Sequence, residues 1–151
     1  MAGPFGPFDA TFERLGDMLI NKVADEIFGD SGAARSTRVV IYNHSDKDLF
    51  YLSNSFDSGG FTPGVQPGQV AAGTIGGYKV ESHGLATGVT GADVRFGFSP
   101  SDSDYCLRIV SSNPYAGDNS LEADAQGGII VKSTSSVGNS NQVDADVYSS
   151  G

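Results

Sequence analysis

The chain contains no tryptophan and a single cysteine, Cys106, in 151 residues. One cysteine cannot bridge within the chain, so a disulfide scaffold is excluded and the fold does not depend on an oxidising compartment. Charge is scarce, at 18% of the sequence, and positive charge scarcer still: 9 Lys and Arg stand against 18 Asp and Glu, a formal net charge of −9. Such a surface repels phosphate backbones, which argues against nucleic acid as a partner. It also disfavours attraction to anionic lipid. No apolar run approaches the ~20 residues of a membrane-spanning helix. The first 30 residues carry Asp9, Glu13, Asp17, Asp25 and Glu26, with no apolar core preceded by basic residues. The expectation is a chain made soluble, without a signal peptide, cytoplasmic or released by a non-classical route.

Glycine is abundant, with 21 residues. Low charge with much Gly and Ser predicts many turns between short strands. Helical periodicity occurs once. Phe8, Phe12, Leu15, Leu19, Val23 and Ile27 recur at spacings of three and four and share one face, with Asp9 as N-cap and Gly29 as C-cap. Residues 29–36 read as a linker. The chain therefore divides into an N-terminal amphipathic helix and linker at 1–33 and a β-domain at 34–151.

After residue 36 the period falls to two. Val39–Tyr42 and Leu49–Leu52 are apolar runs, the first broad enough for a strand buried on both faces. Val94, Phe96 and Phe98 alternate with Asp93, Arg95 and Gly97, as in a half-buried strand. Similar patterns run through Tyr105, Leu107 and Ile109, from Ile129 to Val131, and through Val143, Ala145 and Val147. The stretch Val70–Val80 is weaker, interrupted by Gly73, Gly76 and Gly77. Turn clusters fall at 43–47, 57–60, 63–68, 99–104, 114–119 and 137–141. Prolines lie outside the apolar runs, as strands require. Short strands, glycine-rich turns and no intervening helix predict an all-β sandwich or barrel.

Groups that carry chemistry are sparse. His44 and His83 sit in turns, at no metal-ligand spacing from each other or from Cys106. Cys106 lies in a strand pattern with no assignable base and reads as a small hydrophobe. Asp102 and Asp104, then Asp118, Glu122 and Asp124, form acidic stretches read as loops, which calcium would suit, but EF-hand spacing is absent. Asn43-His44-Ser45 matches a glycosylation sequon. No catalytic residue, metal site or cofactor is expected, and the chain reads as a non-enzyme.

Five segments in order carry a resemblance. They are Arg38-Val-Val-Ile-Tyr-Asn-His-Ser45, the turn Ser58-Gly59-Gly60, and Glu81-Ser82-His83-Gly84 with Thr87-Gly88-Val89-Thr90-Gly91. Asn113-Pro114-Tyr115-Ala116-Gly117-Asp118-Asn119-Ser120 and Gly138-Asn139-Ser140-Asn141 with the strand after it complete the set. Together, residues 38–147 resemble the aegerolysin family, including the small component of binary insecticidal crystal toxins. Phe61 stands after Gly59-Gly60, where that family often has Trp. The helix is similar to the N-terminal helix of actinoporins, a second resemblance. The resemblance implies an aegerolysin- or actinoporin-like β-sandwich that binds membrane lipid, neutral or zwitterionic, such as sphingolipid or sterol. It implies a cytolysin component, with a larger pore-forming partner or a homo-oligomer. Candidate lipid or ligand contacts are Phe56, Phe61, Tyr78, Asn113, Tyr115 and Asn119, with Phe50 and Tyr51 as further aromatics. Phe8, Phe12, Leu15, Leu19, Val23 and Ile27 form the candidate membrane or partner helix. The alternative is a lectin or self-assembling interaction module on the same sandwich, with Asn113, Asn119 and Tyr115 holding a glycan.

Overall fold

Where apolar and polar residues alternate, the backbone is extended, and the computed structural model, which describes residues 35–83 and 88–150, contains strands but no helix among them. The strands are β1 (Ser36–Asn43), β2 (Phe50–Ser55), β3 (Gly60–Phe61), β4 (Ile75–Glu81), β5 (Val89–Gly97), β6 (Leu107–Asn113), β7 (Ser120–Ala125), β8 (Ile129–Ser135) and β9 (Ser140–Ser149). The helix expected from Phe8, Phe12, Leu15, Leu19, Val23 and Ile27, and the boundary drawn between residues 33 and 34, lie outside the described residues.

Two sheets form a sandwich, one of order β3-β4-β1-β9-β8 and one of order β2-β5-β6-β7. Neighbours pair antiparallel except β1 and β9, which run parallel from Ser36 opposite Ser140 to Asn43 opposite Val147. The core lies between the sheets. Val39, Ile41, Tyr78, Val80, Val143, Ala145 and Val147 face Val89, Ala92, Val94, Phe96, Leu107 and Ile109. Each fully buried Val, Leu, Ile or Phe contributes roughly 1.5–3 kcal/mol over leaving it exposed. Gly77 has φ +150°, and a Cβ there would lie 1.8 Å from the Val39 carbonyl oxygen, so only glycine lets β4 pass β1 at that point.

Three sequence readings change. Glu122 and Asp124 do not sit in an acidic loop. They face outward from β7, whose inward positions are filled by Leu121, Ala123 and Ala125 packed on the core. Tyr78 is fully buried, because the glycines around it lie within a regular strand rather than a turn. The Asn43 sequon is also interior: Asn43 is 0% exposed, and its amide donates to the carbonyls of Lys47 (2.8 Å) and Val70 (3.0 Å). Its carbonyl oxygen accepts from the Ser45 amide (3.1 Å) and hydroxyl (2.6 Å). The sequon serine thus closes an Asx turn, and this fold leaves no room for a glycan on Asn43.

A candidate binding end of the sandwich

Arg35 precedes the central strand of the larger sheet and organises one end of the sandwich. Its amide donates to the Ser82 hydroxyl (3.2 Å), and its carbonyl accepts from the Ser82 amide (2.9 Å). Its guanidinium donates to the carbonyls of Pro114 (3.0 Å) and Tyr115 (2.8 Å) and to Asn139 Oδ1 (2.9 Å). A planar five-donor fork suits three acceptors on two loops, a task a lysine point charge cannot share. The guanidinium carbon also lies 5.1 Å from the centre of the Tyr115 ring, within cation–π range.

Asn113, at the end of β6, completes the frame from inside. It is 2% exposed, and its amide donates to the carbonyls of Ser36 (3.0 Å) and Asn139 (2.9 Å). Asn119, half-buried, donates to the Gly138 carbonyl (3.0 Å). The β6–β7 loop and the β8–β9 turn are thereby joined to each other and to β1. Gly88 brings β5 against this frame: a Cβ there would lie 2.5 Å from the Tyr115 amide nitrogen and 2.6 Å from the Asn113 carbonyl oxygen. Any side chain at that position would push the loop away. The Ser58 hydroxyl donates to the Gly88 carbonyl (2.9 Å), linking the Asp57–Gly60 turn to the same end.

Two apolar side chains project from the joined loops. Tyr115 is 60% exposed and Val137 is 87% exposed, and Ile130 is the one other large hydrophobic exposed among the described residues. Val137 was not anticipated, because Val137–Asn141 read as a mere turn. An apolar residue at the tip of a hairpin has no inward direction in which to pack, and that was the available signal. Arg35 falls in the linker of the sequence pattern, since nothing local marks an arginine whose three acceptors lie far along the chain.

The remaining candidates divide. Phe56 and Phe61 are half-buried and in contact, ring centres 4.9 Å apart at 82°. Phe61 continues edge-on to Tyr51 (6.5 Å) and Tyr78 (5.9 Å), and both reach Phe96 (6.4 Å). This aromatic column closes the sandwich where the edge strands β2 and β3 leave it open. It joins Phe56 and Phe61, both half-buried, to the core. Tyr78 is removed from the contact set. Burial, then the nearby Asp93 carboxylate, holds its phenol far above the ordinary range, and its hydroxyl finds no hydrogen-bond partner among the described residues.

No metal or nucleophilic centre assembles among the described residues. His44 Nε2 donates to the Asp146 carboxylate (2.8 Å), and its ring stacks on Tyr148 at 4.5 Å. The Cys106 thiol is pushed up to about 11 by burial, which suits a hydrophobe and not a nucleophile. Asp102 accepts from the amides of Phe98 (3.0 Å) and Ser99 (3.2 Å), so it caps a turn. An open cleft of about 290 Å³ between Asp102, Asp104, Tyr105 and Gln126 lies at the opposite end from Arg35.

No family model and no curated protein sequence matches the chain. Solved structures do match in fold. The lipid binding protein Nakanori superposes with a TM-score of 0.70 at 13% identity, over 91% of this chain and 82% of its own. RahU, solved in complex with a TRIS molecule, gives 0.66 at 10% identity, over 79% of this chain and 98% of its own. IP-1A from Alcaligenes faecalis gives 0.58 at 12% identity, over 79% and 94%. The chain shares their β-sandwich fold.

Proposed function

We propose that this chain is a non-enzymatic membrane-lipid-binding protein that meets the bilayer with its Arg35 end. The observation that carries this reading is the pair Tyr115 and Val137, exposed on two loops that Arg35, Asn113 and Asn119 hold together. A tyrosine with a wet hydroxyl and an apolar body suits the headgroup level of a membrane, and a preformed pair loses little entropy on insertion. Phe56 and Phe61 add a second apolar edge on the same end. With a net charge of −9, neutral or zwitterionic headgroups, sphingolipid or sterol, are the fitting target. The fold shared with Nakanori supports lipid as ligand. A larger pore-forming partner and self-association on the membrane are the later steps that the aegerolysin resemblance implies. The lectin reading is weaker, because the amides of Asn113 and Asn119 that it would offer a sugar are engaged with backbone carbonyls.

The test is sedimentation with vesicles of phosphatidylcholine, sphingomyelin and cholesterol. The full chain is expected to bind with little dependence on salt. A Tyr115→Ala/Val137→Ser variant should bind at least about tenfold more weakly, roughly 1.4 kcal/mol, with a melting temperature only slightly lowered, since Arg35 loses its contact with the Tyr115 ring but keeps its bonds to the Pro114 and Tyr115 carbonyls and to Asn139. Absence of binding by the full chain, or equal binding by the variant, overturns the proposal.

A further inference from the structure

The outer face of the larger sheet is polar along β9, with Gln142, Asp144 and Asp146, but carries an apolar patch in its β1–β4 half. Val40 and Tyr42 point outward from β1, and Ile75 lies opposite Tyr42 on β4. Their exposures are 5%, 4% and 4%, those of a core. The carboxyl of Asp144, opposite Val40 on β9, is raised from its ordinary value, first by burial. Among the described residues no strand lies over this face. The 62–70 segment is tied to its edge by bonds between Thr62 or Val65 and the Lys79 backbone.

We propose that residues 8–28 dock on this face of their own chain as an amphipathic helix, antiparallel to β1. Three observations select this occupant. The segment joins the sheet at its central strand, through Arg35, and residues 29–34 reach at most ~20 Å, more than the roughly 10 Å between stacked layers. The stripe from Phe8 to Ile27 is ~30 Å long as a helix, and the eight residues of β1 extend about 26 Å. Charge fixes the direction. Arg38 and Lys79 lie side by side at the end where the segment enters, and an antiparallel helix brings Asp25 and Glu26 nearest to them. A helix with polar residues opposite its stripe covers an apolar sheet on one side and meets water on the other.

The test uses the full chain with Val40→Cys, whose thiol reacts with a soluble disulfide reagent only when the face opens. Cys106 is buried, and its own rate is measured in the unaltered chain. Docking predicts slow labelling of the Val40→Cys thiol, accelerated at least tenfold when Leu15→Glu and Leu19→Glu are added. Without any change in the sheet, tryptic cleavage after Lys22 should accelerate at least tenfold with the same two substitutions. Fast labelling with the native segment, or rates indifferent to the two substitutions, overturns the proposal. Protection that weakens on dilution also overturns it, because the cover is then a second copy.

Discussion

The two outer faces of the sandwich differ in kind. On the smaller sheet, Asp93, Arg95, Arg108 and Asp124 point outward. Asp93 accepts from Arg108 (3.0 Å) and Arg95 (3.3 Å), Arg95 lies 5.4 Å above the Tyr105 ring, and Tyr105 donates to Asp124 (2.6 Å). On the β1–β4 half of the larger sheet the outward residues Val40, Tyr42 and Ile75 are as buried as the core. The same backbone geometry serves both, so the difference rests in the side chains. Strands β5 and β6 alternate cleanly, which suits a sheet wet on one side. Strand β1 is apolar on both sides, which suits a sheet covered on both.

This contrast yields three measurements. The largest effect is expected from trimming matched valines: Val40→Ala should cost about 2 kcal/mol by denaturant unfolding and Val110→Ala under about 1, because only the first leaves a buried void. Equal losses would mean that the two faces are alike. Next, Asp93→Asn should cost about 1 kcal/mol at neutral pH, since its arginines are partly exposed and screened. Burial raises the Asp93 carboxyl, but its bonds to Arg108 and Arg95 outweigh this and hold it below its ordinary value. Its contribution is therefore full above the unfolded value near 3.8 and lost as pH falls through the folded one. The gap between the native chain and the variant should close below pH ~4. The smallest effect carries the opposite sign. Asp144 is raised by burial despite bonds from Gln142 and Tyr42, so its charged form opposes folding above the folded value. Asp144→Asn should be neutral or stabilising by up to about 0.5 kcal/mol at pH 7, with the difference vanishing as acid approaches 3.8. A variant less stable at pH 7 than the native chain would show that this face is wet.

The legible parts of the fold were those with strong periodicity. Strands β1, β5, β6 and β9 announce themselves through Val39–Tyr42, Val94 and Phe96, Leu107 and Ile109, and Val143 to Val147. Strand β7 does not, because alanine fills two of its inward positions and alanine carries little hydrophobic signal. Strand β3 is two residues long and hides in a glycine turn. At the Arg35 end, Asn113, Tyr115 and Asn119 are nameable from the loop composition, and both asparagine amides are engaged with backbone carbonyls. Arg35 and Val137 escaped, because their significance lies in loops brought together from opposite ends of the domain.

The parallel pairing of β1 with β9 orders events in time. The central strand of the larger sheet has β4 on one side and the last strand on the other, so that sheet stays open until β9 has left the ribosome. Non-local pairing of this kind is slow to form. Until it forms, Val39 to Tyr42 offer an unpaired apolar edge to any neighbouring nascent chain. The larger sheet should therefore close only once β9 is available to pair. The domain's yield in a cell should depend on what shields β1 in the interval.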